Sequence, residues 1–371
     1  MSPPRPRGGA GGPDGPPGKR AREGDGRVDM KQVADLAGVA MSSVSRVLSG
    51  HPDVSDDMRQ RVTAAAKQLG YEGPNMLAAM LRTGATRTIG FVIGDISNPL
   101  MAEIALGAEV TLREAGYTMM LVNSLGEAQR DASQIQLLQQ RRVDGLLLSV
   151  TDETSEDTAS ALARAGIPAV LIDRDLPALP AASAVLSDHA AGITAAMEHL
   201  IGLGHRRIAL IAGAPHVRPT RERIAAAEAA AEANPGVLCQ VRPGAYTQKH
   251  GADTTLELLA SGRAPTAIIA GGNQILVGVL SALRHRQRRI PRDVSLVTCD
   301  EVPLAEFLSP PLATIRRDPR EMGATAARLL LSRLAGAAPQ ASILPTWFAT
   351  ADSCAEPRSP LNDTTPSRSS A

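Results

Sequence analysis

Between residues 88 and 298, seven short apolar runs (89–93, 119–122, 145–150, 169–172, 207–212, 266–270 and 294–298) alternate with segments long enough to be helices. Runs that are apolar throughout, rather than at every second residue, suit strands buried on both faces. Helix-length spacers suit the crossovers that parallel neighbours require. This part of the chain is therefore expected to form parallel βαβ sheets covered on both sides, an α/β body. With 371 residues, of which about 260 are left for the α/β body, the chain can bury more than one core.

Ahead of the body, residues 28–50 read VDMKQVADLAGVAMSSVSRVLSG. Met30, Val33, Ala34 and Leu36 share one face of a short helix, and Gly38 supplies the permissive backbone of a tight turn. A second helix over 41–48 turns Val44, Val47 and Leu48 back toward the first, which makes a helix-turn-helix. Its outer side carries Met41, Ser42, Ser43, Ser45 and Arg46, short hydroxyls and one guanidinium able to reach base edges and phosphates in a major groove. The same spacing also suits an ordinary helical hairpin. Ser55 with Asp56 and Asp57 gives a cap and an acidic first turn. Met58, Val62, Ala65, Ala66 and Leu69 then complete a third helix that ends at Gly70, so the head is small and all-α.

A net charge of +1 gives no global signal for nucleic acid. Residues 1–27 hold six basic and three acidic side chains, and residues 28–87 seven and six, so the head must use its charges by position. The first 27 residues are rich in Pro and Gly and read as disordered; an arm lying on DNA is the sharper alternative. They hold no apolar segment of a secretory signal, and no stretch approaches the roughly 18–20 apolar residues of a membrane span, so a cytoplasmic location is expected. Cys239, Cys299 and Cys354 are odd in number and far apart, which indicates neither a disulfide framework nor a zinc site. Gly213 and the pair Gly271-Gly272 do not make a GxGxxG or a phosphate loop, and no HExxH occurs. No catalytic set is visible, so neither an enzyme nor a cofactor is expected. His205 and His285 read as packing or solvated residues, and the basic run 284–289 as the exposed end of a helix.

Several segments occur in a telling order: DLAGV and VSRVLSG, LGY and PN, LRTG and TRTIG, DISNP, RRVDGLLL, GIPAVLIDRD, LGHRRIALI, PRDVSLV and LSPPLATI. In this series the chain resembles the LacI/GalR family of bacterial transcription regulators from residue 28 to about residue 353. The resemblance implies a helix-turn-helix head plus two doubly wound parallel-sheet lobes resembling a periplasmic-binding-protein fold. The lobes fall near 88–188 and 189–315, with 316–350 crossing back. The corresponding plan is an extension (1–27), head (28–74), hinge and linker (75–87), bilobal body (88–353) and flexible tail (354–371). It also implies a homodimer on palindromic operator DNA, and no C-terminal heptad segment suggests a tetramer. The hinge, 75–81, corresponds to a short helix set in the minor groove, with Ala78, Leu81 and Arg82 at the DNA and Leu81 as the wedge between base pairs. A bare leucine can offset the few kcal/mol of unstacking. Glu72 and Gly73 separate Tyr71 from Pro74 where the family usually has one residue.

In open α/β sheets ligands bind outside the carboxyl ends of the strands. The loops there carry Asp95, Ser97 and Asn98, Thr151, Asp173 and Arg174, Arg218 and Thr220, Asn273, Asp300 and Glu301. Asp173 and Asp300 match ligand contacts of the family, Leu100 and Met101 match a pair that is often aromatic, and Thr194 stands where sugar-binding members often have Arg. The resemblance thus implies an effector cleft for a sugar or related metabolite, lined by Leu100, Met101, Thr151, Asp173, Arg174, Thr194, Arg218, Asn273 and Asp300. The alternative for the acids is loop or helix capping. Two other classes, a solute-binding protein and a doubly wound enzyme, remain as rivals that a band shift on operator DNA separates.

Overall fold

The computed structural model describes residues 28–48, 51, 53–71, 85–176, 182–302 and 307–358. It divides into two compact units, residues 1–85 and 86–371.

In the first unit, α1 (Met30–Ala37), α2 (Met41–Leu48) and α3 (Asp56–Leu69) pack three faces together. Asp29 and Gln32 cap α1 reciprocally, each side chain accepting the other's backbone N–H at 2.8 Å. Gly38 ends α1 at φ 65°, the left-handed conformation that the turn requires. Val33, Val44 and Val62 are wholly buried at the centre. Leu36, expected on the buried face, is 46% exposed, and Ala37 takes its place because the eight-residue helix turns its last residue inward.

The second unit contains two six-stranded sheets. The first has β1 (Thr88–Ile93), β2 (Thr118–Asn123), β3 (Gly145–Leu148), β4 (Ala169–Ile172), β5 (Ser183–Ser187) and β11 (Ala341–Leu344), in the order β11-β5-β4-β3-β1-β2 with every pair parallel. The second has β6 (Arg207–Ile211), β7 (Leu238–Arg242), β8 (Ala267–Ala270), β9 (Ser295–Cys299), β10 (Ala313–Arg316) and β12 (Trp347–Ala349), in the order β12-β10-β9-β8-β6-β7. Only the β10–β12 pair is antiparallel. Helices α4 (Pro99–Glu114), α5 (Ala128–Gln140), α6 (Glu156–Ala165) and α11 (Pro319–Leu334) cover the first sheet. Helices α7 (His189–Gly202), α8 (Arg218–Glu232), α9 (Gln248–Ala260) and α10 (Asn273–His285) cover the second.

Alternation of side chains along each strand feeds two cores per sheet. Ile89, Phe91 and Ile93 point toward α4 and α11, whereas Val92 joins Ile135, Leu138 and Leu162 on the other face. In the second lobe Ile208 and Leu210 meet Ile193 and Met197, and Ala209 and Ile211 meet Ile275 and Val279. The segment after β10 crosses back twice. It lays α11 on the first sheet and pairs β11 with β5, then returns to pair β12 with β10. The crossings bind one another: Asp188 N donates to Leu344 O at 2.9 Å, and Gly192 N to Thr346 Oγ1 at 3.0 Å. Cys354 and Ala355, expected in a loose tail, belong to the second lobe, where Ala355 N donates to Ser295 Oγ at 3.0 Å.

Candidate functional site

Both sheets end in the same device. Asp173 directly follows β4 and Asp300 directly follows β9, and both sit in the left-handed backbone region, at φ 54° and 68°. Each amide donates to the neighbouring strand, Asp173 N to Val185 O at 2.7 Å and Asp300 N to Ile315 O at 3.0 Å. Aspartate tolerates this conformation better than most residues, and such backbone strain gathers at functional sites. Both carboxylates are buried, and a single guanidinium joins them. Arg317 donates from Nη1 to Asp173 Oδ2 at 2.5 Å, and from Nε and Nη2 to the two Asp300 oxygens at 2.7 and 3.2 Å. Asp300, matched above to a ligand contact, is thus held bidentately by this guanidinium.

His189, at the start of α7, completes the cluster. Its Nε2 lies 3.0 Å from each Asp173 oxygen, and Arg223 Nη2 donates to its Nδ1 at 3.3 Å. Because Arg223 can only donate, Nδ1 is the acceptor and Nε2 carries the proton, a neutral ring. Burial lowers the His189 pKa to about 4 despite the adjacent Asp173. Burial alone would raise Asp173, but contact with His189 and Arg317 more than offsets it and holds the carboxyl well below its usual range. At Asp300 the same opposition is won by Arg317 and then Arg223. Arg317 stays charged.

The other candidates fall around this core. Arg218 donates from Nη1 to Ser187 O at 3.1 Å and pairs with Glu222; its amide donates to Glu153 Oε1 at 2.9 Å. Glu153 also takes Arg221 Nη2 at 2.8 Å, so an acid of the first lobe holds α8 of the second. Asn273 Nδ2 donates to Asn98 Oδ1 at 2.9 Å, a second tie between lobes, while Asn98 caps α4. Arg174 donates to Val150 O at 2.6 Å, and Thr151 N donates to Asp131 Oδ2 at 2.6 Å. Thr194 lies half-buried on α7. Met101 packs into the first-lobe core, whereas Leu100 lines a cavity of about 680 Å³ with Pro99, Asp300, Val302, Arg317 and Trp347. Asp95 and Ser97 bond each other, and Thr220 bonds Tyr246. Glu301 pairs with Arg316 at the rim. His205 is a packing residue held by Thr266 and Ser295, and His285 with the basic run after it is exposed at the end of α10. Among the described residues no three His, Cys, Asp or Glu side chains come together to hold a metal ion.

Sequence reading did not find Arg317, His189, Arg223 or Glu153. Arg317 and His189 lie just past β10 and β5, strands that the apolar runs did not disclose. Without the strand, its carboxyl end could not be searched.

In the head, α2 turns Val44 and Val47 inward and leaves Met41, Ser42 and Arg46 exposed, with Ser43 and Ser45 half-buried. Ala78, Leu81 and Arg82 lie outside the described residues.

A helix-turn-helix head and a two-lobed body with a polar cleft, in one chain, define a regulator that couples a small molecule to DNA. Residues 29–75 match the family model for bacterial regulatory proteins, lacI family, and residues 197–354 that for a periplasmic binding protein-like domain. The ribose operon repressor of Escherichia coli (strain K12) is 35% identical over 310 residues, which cover 82% of this chain and 92% of the repressor. The transcriptional repressor PurR of Vibrio cholerae is 32% identical over 310 residues, with 82% and 91% covered. Among solved structures, the Lac repressor dimer bound to operator and the anti-inducer ONPF matches with a TM-score of 0.78 at 26% identity, covering 89% of this chain and 99% of that one. A LacI-family regulator from Enterococcus faecium with bound ribose matches with a TM-score of 0.65 at 26% identity, covering 73% and 100%. The chain belongs to the LacI family of bacterial transcription regulators. No described helix is long and apolar enough to cross a membrane.

Proposed function

We propose that this chain is a cytoplasmic repressor, not an enzyme, that binds a palindromic operator in double-stranded DNA as a homodimer. A small sugar or related metabolite in the inter-lobe cleft sets its operator affinity. The observation that carries this reading is the pair of strand-end aspartates, one from each lobe, joined by Arg317 beside a ligand-sized cavity that Asp300 and Arg317 line. A ligand that favours one spacing of the lobes shifts the balance between two states of the body, and through it the affinity for DNA. Support also comes from relatives: ribose operon repressors are among the similar curated proteins, and one similar structure holds ribose. The exposed residues of α2 and, by resemblance, Ala78, Leu81 and Arg82 of the hinge are assigned to the DNA.

The test is a band shift on palindromic operator DNA selected from random sequence with the full chain. Arg46→Ala should weaken specific binding by roughly 10- to 100-fold, the worth of one good base contact. The body should keep its unfolding profile. A fully active Arg46→Ala protein would contradict the placement of α2 in the groove.

A further inference from the structure

The parallel strands of the second sheet run toward the cleft, so their first residues share the opposite pole of that lobe. That pole is crowded with arginine. Five arginines and no acid stand within residues 284–292, the end of α10 and the loop into β9. Arg206 and Arg207 at the start of β6, Arg263 ahead of β8 and Arg358 after β12 flank them, and all nine are exposed. Asp293 sits in their midst. It accepts Arg289 N at 2.9 Å and, after that bond, the guanidinium groups of Arg289, Arg292 and Arg358 hold its carboxyl below the usual value. The other acids near this pole, Glu232, Glu257, Asp352 and Glu356, are exposed and pair with none of the arginines among the described residues, so nine guanidinium groups meet five carboxylates. Arg263, Arg284, Arg286, Arg288, Arg292 and Arg358 make no side-chain hydrogen bond or contact ion pair among the described residues. A helix C-terminus favours a cation in its last turn, which accounts for Arg284 and leaves the rest. Arg284, Arg288 and Arg289 converge on a groove of about 500 Å³ whose other lining is uncharged. Guanidinium groups bind phosphate in bidentate fashion, and charges spread over the neighbouring starts of β6, β8 and β9 suit an extended polyanion better than one small anion.

We propose that this pole is a second surface for duplex DNA: it takes the phosphate backbone of a segment other than the one the head reads, without regard to sequence, so that operator-bound protein bridges two segments. A regulator held on DNA by its head keeps duplex at a high effective concentration around its body, which favours DNA over an acidic protein as the occupant. The inference adds to the regulator reading a surface that neither the head nor the cleft uses.

The full-length protein is first saturated with operator duplex, which fills the heads, and a labelled duplex of unrelated sequence is then added. At roughly 50 mM salt the complex should capture this second duplex, and with three to five phosphate contacts the affinity should fall roughly 40- to 500-fold by about 200 mM. Arg263→Gln, Arg288→Gln and Arg292→Gln together should weaken capture at least about tenfold and reduce the salt slope by about 2–3, while operator affinity stays within about twofold. Because all three side chains are exposed and unpaired among the described residues, the unfolding midpoint of this variant should match that of the parent, and capture by the parent decides if it does not. If the chain binds no operator, the regulator reading fails, and the same comparison of slopes on the unrelated duplex alone still decides this one. A parent complex that captures no second duplex overturns the proposal, as does a glutamine variant with the salt slope of the parent. Displacement of the duplex by polyglutamate at a lower charge concentration would overturn it too, by giving the pole to an acidic protein.

Discussion

His189 is a buried ring that the fold keeps neutral, and this has a cost that depends on pH. The unfolded chain takes up a proton near the ordinary value of 6.5, while the folded protein does so only near 4. Between those values the unfolded state binds more protons, so stability falls as pH drops from 6.5 and the loss is complete near 4. The gap corresponds to roughly 3 kcal/mol. His205, whose pKa burial also lowers, acts in the same direction, so a variant must isolate the effect. His189→Asn keeps a donor toward Asp173 without the titration. Denaturant unfolding at a series of pH values should show a slope between pH 6.5 and 4 that is clearly shallower in the variant, and identical slopes would mean that the ring is solvated in solution. Below the ordinary carboxylate value of 3.8, Asp173 and Asp300 have depressed pKa values, and their contribution is lost as each takes up its proton.

At the scale of elements, each lobe contains one helix pair that crosses through glycines. Gly107 of α4 and Gly323 of α11 lie where a Cβ would collide with the Arg320 and Ile104 carbonyls; Gly251 of α9 and Gly278 of α10 would collide likewise with Ile275 and Gln248. The backbones approach so closely that a single methyl must push the helices apart. Gly323→Ala should lower the stability of the body by at least about 1–3 kcal/mol, measured by chemical denaturation, whereas an unchanged midpoint would mean that α4 and α11 separate freely. These crossings leave no mark in a hydrophobic pattern, but the strands do. The seven apolar runs correspond to β1, β2, β3, β4, β6, β8 and β9; all of these are mostly buried except β2, an edge strand legible because its exposed side is apolar too. The runs missed β7 and β11, edge strands half open to solvent, β12 with three residues, and β5, where burial alternates. Short β10 is hidden behind a proline pair. The site inherited these gaps. Asp173 and Asp300 were legible because β4 and β9 were, whereas the arginine that unites them follows a strand that the pattern did not show.

At the scale of the whole body, the first lobe is assembled from two distant parts of the chain. Met322, Ala326, Ala327 and Leu330 of α11 are buried in the same core as Ile89, Phe91 and Ile93 of β1. A chain ended after Asp318 should therefore leave residues of β1 to β5 open to protease, with loss of the cooperative unfolding transition; a first lobe that resists digestion would refute this. The same division sets an order of events during synthesis. At about 5–20 residues per second, the ribosome releases β5 on the order of ten seconds or more before β11 and α11 emerge. The second lobe draws on that late segment for the edge strand β12 and the few residues after it. Through that interval the earlier lobe shows an uncovered apolar face and an unpaired β5 edge, the kind of surface that chaperones hold, so the lobe that is made first stays open until synthesis is nearly over.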